Sequence, residues 1–484
     1  MAAGSQKLSI LEKVGYSLGD LAANLIFQTL MTFLAFFYTD VYNIPAGSAS
    51  VIILTGGFLG AICNVIVGAF ADRTNSRYGK FRPWVLWTAV PFGIIALLTF
   101  STPSFGEKGK LIYALVTYFL LVVIYSANNL PYCALSGVIT SDMKQRNSLS
   151  AYRFVAVMIA QFIIQVLLLP MVLKFGNGDK ALGFKIVMTY FSITGIIFFI
   201  ITFLTTKERI VTSKEQKSTL KQDLTDLTRN LPWGILLFVN VLIFITLALK
   251  GGMYIYYFKY YLNEPALAGF LERIGFNRFT SWLHNTLGFQ WPNDVATSGN
   301  SLFNACGILF MIVGIACSKP LADKFGKRDV FGVFLLASAF CLVMFIFYPP
   351  GSISSVFLTQ IFHGFCYGIT IPLLWTMIAD VADYSEWKNN RRATAIIFSA
   401  MIFGLKIGLS VGGALGAAIL EGYGYVTGLP DQKASTLSGI KMSVSLYPGL
   451  IFILAVLMLR WYAISKKMEL VIENVLKDRR NNSA

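Results

Sequence analysis

The chain has 484 residues, 56% of them hydrophobic and only 13% charged, where an ordinary soluble domain carries roughly 25% charged residues. Forty Lys and Arg against 24 acids give a formal charge of +16, and the mean hydropathy is +0.64. Forty phenylalanines leave too little polar surface to cover a soluble globule, which excludes most soluble enzymes, disordered chains and fibrous repeats; the positive charge points to membrane topology and not to nucleic acid.

Residues 1–15 read as a short polar tail without the small-residue cleavage pattern of a signal peptide. Twelve apolar stretches follow, each near the roughly 20 residues that a bilayer requires. They lie near 16–40, 50–71, 83–101, 111–135, 150–173, 184–205, 233–261, 300–321, 329–348, 355–379, 395–420 and 440–463. The expected fold is an all-α membrane protein with twelve transmembrane helices in two six-helix halves, 16–205 and 233–463. A cytoplasmic linker at 206–232 joins the halves, and 464–484 forms a second tail. With the amino terminus inside, cytoplasmic segments hold 27 of the Lys and Arg and the outer loops 10, the asymmetry of the positive-inside rule; both termini are then cytoplasmic. The long seventh loop, 263–298, places Leu267, Phe270, Leu271 and Ile274, then Phe279, Trp282 and Leu283, at helical spacing. Two short amphipathic helices at the outer interface are predicted.

The halves repeat one another. Asp72-Arg73 after span 2 returns as Asp323-Lys324 after span 8, at an offset of 251, each followed by a glycine and further bases, Gly79-Lys80 and Gly326-Lys327. In spans 4 and 10, Pro131 and Pro372 are each followed eleven residues later by an acid, Asp142 and Asp383, at an offset of 241. Two six-helix halves joined by such a linker make the architecture of the major facilitator superfamily, whose halves rock about a midplane site. Acid–base pairs at helix ends suit gating contacts that form in one state and break in the other, so Asp72, Arg73, Asp142, Asp323, Lys324 and Asp383 are gating candidates.

An ionisable residue deep in a span costs at least about 2.5 kcal/mol and faces a cavity by default. Asp20, Asn24 and Gln28 share one face of span 1; Asn64 is in span 2; Ser126, Asn128 and Asn129 in span 4; Arg153, Gln161 and Gln165 in span 5; Lys250 in span 7; Asn300 and Asn304 in span 8; His363 and Thr370 in span 10; Lys406 in span 11. Converging on a cleft walled by Tyr125, Tyr132, Tyr256 and Trp375, such groups suit a sugar, whose hydroxyls take bidentate hydrogen bonds while its C–H face stacks on rings. Three embedded cations, Arg153, Lys250 and Lys406, against one embedded acid, Asp20, suit a carboxylated sugar equally. Each isolated amide also reads as helix–helix glue, Arg153 and Lys406 as structural ion-pair members, and His363 as an interhelical hydrogen bond. The six cysteines lack metal spacing, and no phosphate-binding glycine loop occurs, so neither a metal nor ATP is expected.

The segments Tyr16-Ser-Leu-Gly19-Asp20, Phe37-Tyr38-Thr39-Asp40-Val, Arg77-Tyr-Gly79-Lys80-Phe81-Arg82-Pro83-Trp84 and Ile378-Ala-Asp380-Val-Ala-Asp383-Tyr384-Ser-Glu386-Trp resemble the glycoside-pentoside-hexuronide:cation symporters, the family of melibiose permease. The resemblance spans nearly the whole chain except the seventh loop. It implies uptake of a sugar or glycoside driven by protons or sodium across a bacterial inner membrane, by a monomer. By position, the family's sugar-binding span 5 arginine corresponds to Arg153, the span 11 lysine to Lys406, and a hydroxyl near the cation to Ser126. The family's carboxylates are replaced: the two cation-binding aspartates of span 2 align with Gly60 and Asn64, the span 4 aspartate with Asn129, and the sugar-binding aspartate of span 1 with Asn24. Amides bind sodium weakly and cannot carry a proton. The chain is therefore expected to couple to protons through Asp20, or to work as a uniporter. Substrate-binding candidates are Asp20, Asn24, Asn128, Asn129, Arg153, Trp375 and Lys406; cation-site candidates are Asp20, Asn64, Ser126 and Asn129.

Overall fold

The computed structural model describes residues 8–74, 76–140, 143–209, 230–287, 291, 293–389 and 394–482. All regular secondary structure among them is helical. Eleven helical segments are long and apolar enough to cross a membrane, and α2, Ala46–Arg73, adds an apolar stretch at Ala46–Gly60 that makes twelve.

The chain divides into two units, Met1–Glu215 with Arg278–Ser301, and Gln216–Asn277 with Leu302–Ala484. The first is built on α1 (Ile10–Phe36), α2, α3 (Arg82–Thr99), α4 (Glu107–Ile139), α5 (Met143–Phe162), α6 (Leu168–Gly176) and α7 (Lys180–Thr205). A π turn at Ile163–Leu167 joins α5 to α6 as one span. Side-chain oxygens start the helices where backbone donors lack partners: Ser9 accepts from Glu12 N, and Asp179 from Ala181 N and Leu182 N. Helix α1 lies against α4, α5 and α7, which places its polar face beside α4 and α5.

In the second unit, α8 (Leu231–Tyr256) starts on an Asn230 cap with Pro232 in its first turn. Helix α9 (Glu264–Arg273) also belongs to this unit, whereas α10 (Phe276–Leu287) from Arg278 on and α11 (Val295–Phe325) up to Ser301 are counted with the first; the rest of α11, α12 (Lys327–Met344), α13 (Ile353–Asn389), α14 (Thr394–Gly422), the span made of α15 (Ala434–Val444) and α16 (Leu446–Met458), and α17 (Lys466–Asn482) complete the second. Helices α8 and α14 touch backbone to backbone. A Cβ at Gly408 would fall 2.6 Å from the Val241 carbonyl and one at Gly412 2.3 Å from that of Ile245, so small residues are needed there.

A third internal repeat emerges at an offset of 220. Helices α1 and α8 both end in five-residue π turns, Phe37–Val41 and Tyr257–Tyr261, closed by the same bond: Tyr42 N to Phe37 O, 2.8 Å, and Leu262 N to Tyr257 O, 3.1 Å. Each turn leads to an asparagine, Asn43 or Asn263, with a proline two residues on.

Segment 263–298 forms two short helices, but they behave differently. Helix α9 buries Leu267 and Leu271, sets Phe270 against Phe357 at 4.8 Å, and is tied by Asn263 N to Pro350 O. Helix α10 leaves Phe279 and Trp282 about half exposed. Gly275, at φ +77°, separates them, and the division between units falls two residues further on. Residues up to Asn277 are thus counted with the second unit and Arg278–Ser301 with the first. Of the expected linker, 210–229 lie outside the described residues. Its first residues are not free: Arg209 N bonds Val138 O, and its guanidinium grips Glu12 at 2.6 and 2.9 Å. Those bonds hold the Arg209 pKa above its ordinary value.

The helix ends carry two clasps. Gly79, at φ +108°, opens a concave stretch in which Lys80 N, Phe81 N and Arg82 N donate to the Glu208 carboxylate at 2.8–2.9 Å; a Cβ on Gly79 would sit 2.5 Å from that carboxyl carbon. In the second unit Gly326, at φ +93°, precedes Lys327, whose ammonium pairs with Asp380 at 2.7 Å and with Glu469. Lys466 donates to the carbonyls of Asp323 and Lys324 at the end of α11, at 2.7 and 3.2 Å.

Candidate functional site

Asp20 and Arg153 meet. Asp20, 3% exposed on α1, accepts from Arg153 Nε at 2.7 Å, across 133 residues of sequence. Its other oxygen accepts from Asn24 Nδ2 at 3.1 Å, and the same amide donates to the Asp20 carbonyl at 2.9 Å. The i, i+4 spacing on one helix face makes that contact possible. The guanidinium lies 5.5 Å over the Tyr132 ring, which stacks on Tyr16 at 4.6 Å. The two tyrosines lock α1 to α4 reciprocally: Tyr16 Oη donates to Tyr132 O at 3.0 Å, and Tyr132 Oη to Tyr16 O at 2.6 Å. Arg153 Nη2 reaches Cys133 Sγ at 3.8 Å, and Cys133 in turn reaches Asn129 Oδ1 at 3.7 Å. One connected set thus gathers Asp20, Asn24, Arg153, Cys133 and Asn129 on an aromatic floor. The Asp20 side chain is 4% exposed and that of Arg153 30%, so the guanidinium offers the reachable edge.

Other span 4 candidates face elsewhere. Asn128, 1% exposed, donates to Thr88 Oγ1 on α3 at 2.8 Å; it is the interhelical glue that an isolated amide in a span can be. Ser126 is fully buried with its hydroxyl on Val122 O at 2.7 Å. Asn64 lies on α2, as do Asp72 and Arg73, but their side chains are outside what is described, and Asp142 lies outside the described residues. Asp323 and Lys324 are exposed at the end of α11, with the Lys324 ammonium over Phe325, and Asp383 is half-buried.

In the second unit Trp375 and Lys406 are half-buried on α13 and α14. Lys250 departs from expectation. It is 7% exposed inside its own unit, in contact through Nζ with Nε2 of His363, and 5.4 Å over the Tyr367 ring. His363 Nδ1 faces the Ser338 carbonyl at 3.3 Å. Lys250 is therefore enclosed by α8, α12 and α13, and it drops out of the cation surplus that suggested an acidic sugar. Sequence reading missed this pairing, and also Glu12, Glu208 and Arg209. The π-turn repeat was present in the sequence as the paired Asn–x–Pro at Asn43 and Asn263.

Eleven helical segments long and apolar enough to cross a membrane, with the shorter apolar stretch on α2, fit an integral membrane protein, and among the described residues no group of three or more His, Cys, Asp or Glu could hold a metal. The fold is shared with solved transporters: a bacterial homologue of the human lysosomal transporter Spinster is similar at a TM-score of 0.64 and 12% identity, covering 94% of this chain and 98% of that one. Residues 15–279 and 294–466 match the MFS/sugar transport protein family. The chain belongs to that family; it is an integral membrane transporter of the major facilitator fold and not an enzyme. It is 34% identical to the inner membrane symporter YicJ of Escherichia coli over 98% of this chain and 97% of that protein. It is 31% identical to the isoprimeverose transporter of Lactiplantibacillus pentosus over 94% and 89% respectively.

Proposed function

We propose that the protein imports a sugar or glycoside across a bacterial inner membrane by alternating access, in symport with protons. The observation that carries this reading is the Asp20–Arg153 pair with Asn24, set on the stacked Tyr16 and Tyr132. A planar guanidinium takes vicinal hydroxyls two at a time, and the Arg153 side chain is 30% exposed. Asn24 and Asn129 add amide partners, and in the second unit Trp375 and Lys406 are the substrate-binding candidates. The names of the two relatives, a symporter and an isoprimeverose transporter, support the same class of cargo and coupling.

Protonation of Asp20 removes the charge that holds Arg153, so proton uptake and the freeing of the guanidinium for substrate are one event. A sodium site is disfavoured because Asn64, Ser126 and Asn129 supply only neutral oxygens, where the family's pattern has carboxylates. Asp72, Arg73, Asp142, Asp323, Lys324 and Asp383 serve as the gating contacts at helix ends, on the cytoplasmic side that also holds both termini. Neutral sugars are favoured over uronides, because enclosure of Lys250 leaves Arg153, already paired, and Lys406 as the embedded cations.

The test is uptake into proteoliposomes from a panel of labelled neutral and acidic sugars, with an imposed pH gradient or a sodium gradient. Accumulation of a neutral glycoside driven by the pH gradient and indifferent to sodium is expected. Stimulation by sodium at fixed pH that disappears in Asn64→Ala sinks the proton reading. Displacement of substrate by uronides but not by neutral glycosides sinks the choice of cargo.

A further inference from the structure

We propose that Lys250 and His363 form a one-proton site inside the second unit, loaded and emptied once per transport cycle in addition to Asp20. This deepens the proton-coupled reading above and rests on it. Two bases touch here, both nearly inaccessible: Lys250 is 7% and His363 2% exposed. The groups facing them are Cys341 and the Ser338 carbonyl from α12 and Tyr367 from α13. The Tyr367 ring lies flat against the His363 ring at 6.1 Å and against Phe452 of α16 at the same distance. No carboxylate is among these groups.

Hydrogen bonding fixes how many protons the cluster holds. His363 Nδ1–H donates to the Ser338 carbonyl, leaving the Nε2 lone pair to accept from Lys250, an assignment made from the network. With Lys250 as an ammonium, Nζ donates to Nε2 and its charge sits over the Tyr367 face, a contact that strengthens when desolvated. With Lys250 as a neutral amine, one N–H still donates to Nε2 and no partner is lost. A second proton would place two like charges in contact. The loaded and empty states are therefore both hydrogen-bond complete and differ by one proton, Lys–NH3+ giving Lys–NH2 plus H+. A structural buried ion has an opposite charge beside it; among the described residues this one has a neutral acceptor and a ring in place of an acid, so small movements decide its occupancy.

The means of movement is adjacent. Gly251 and Gly252 follow Lys250 directly, and a Cβ at Gly251 would meet nothing within 4 Å. Packing does not require that glycine, so its contribution is backbone freedom. A few residues later comes the π turn Tyr257–Tyr261, a form found at functional sites in helices. A shift of α8 that draws Nζ from Nε2 strands the ammonium in an apolar interior, and its proton passes to water on the side of the membrane open at that stage of the cycle.

The experiment measures protons moved per substrate in proteoliposomes, by finding the pH gradient that just balances an opposed substrate gradient. Lys250→Met is never loaded; Lys250→Arg keeps its charge and never releases it. Each is expected to move one proton fewer per substrate than the wild type, with folding checked by thermal unfolding. Where flux is too small to balance, the protons exchanged when substrate is added to purified protein in weakly buffered detergent should shrink likewise in both. A wild-type ratio retained by either variant, above all by Lys250→Arg, makes the pair structural and overturns the proposal while proton coupling stands. A wild type that moves no protons removes the coupling reading itself, and this site with it.

Discussion

The two units bury charge in opposite ways. In the first, an acid and a base from α1 and α5 neutralise each other, with Asn24 and Tyr132 completing the shell. In the second, two bases meet, and none of the described groups facing them is an acid. The same contrast runs through the clasps at the helix ends: the first unit ties Glu208 to backbone N–H groups, the second ties Lys327 to two carboxylates. The backbone repeat, down to matched π turns and matched positive-φ glycines, is thus kept while the chemistry on it diverges. An internal duplication can hold a fold constant while the charges it carries take on separate roles. One copy here holds an acid–base pair, and the other a lysine against a histidine.

The most severe way to break this contrast is to make the first unit resemble the second. Asp20→Ala leaves Arg153 embedded with no counter-charge, and breaking a buried pair from one side costs about 3–5 kcal/mol; the partly exposed guanidinium puts this case at the lower end. Uptake should vanish and thermal unfolding in detergent should move to lower temperature. Adding Arg153→Gln removes the stranded charge and should recover much of the stability without recovering uptake. Should the double variant stay as unstable as the single, the pair is not the source of the loss. Should it transport, neither residue handles substrate.

Much of this was open to inspection in the sequence, and the boundary is physical. Spans were legible because lipid demands a long apolar run for every crossing, and the offsets of 251 and 241 exposed the duplication. Asp20, Asn24 and Arg153 stood out because each is costly inside a membrane. What periodicity cannot supply is which distant residues meet. Lys250 was placed with Arg153 and Lys406 by charge alone, and only the packing of α8 on α12 and α13 gives it to His363 instead. Asn128 and Asn129 are neighbours of one type, yet a step of about 100° around α4 sends the first to Thr88 and the second to Cys133. Glu208 sat in what read as linker, so the reason for the glycine in Arg77-Tyr-Gly79-Lys80 was out of sight.

A second, smaller effect sharpens the comparison of the clasps. Glu208→Ala leaves three N–H groups at the start of α3 without their charged acceptor. Hydrogen bonds to charged groups contribute about 1.5–3 kcal/mol each at most, and water replaces part of that at a half-buried site, so a total loss of about 2 kcal/mol is expected. Gly79→Ala should reproduce it, since a Cβ would collide with the same carboxylate and the backbone stands at φ +108°. Equal drops in unfolding temperature, and no further drop when the two are combined, would mark one shared interaction. Additive losses would mean that the glycine serves the turn and not the carboxylate.

The smallest effect belongs to the other clasp. Lys327 bridges Asp380 and Glu469 with side chains between 16% and 30% exposed, so solvent screens the pairing and each contact is worth about 1 kcal/mol or less. Lys327→Met leaves two acids beside each other, and their repulsion is what the substitution exposes. Because the Debye length shrinks from about 10 Å to about 3 Å between 0.1 M and 1 M salt, the drop in unfolding temperature should fade as salt is raised. The Glu208→Ala drop should not, since it rests on short hydrogen bonds to backbone donors. Equal salt dependence in the two variants would erase the distinction between a clasp built on backbone and a clasp built on charge, and with it the claim that the repeated units have diverged at their ends as they have at their centres.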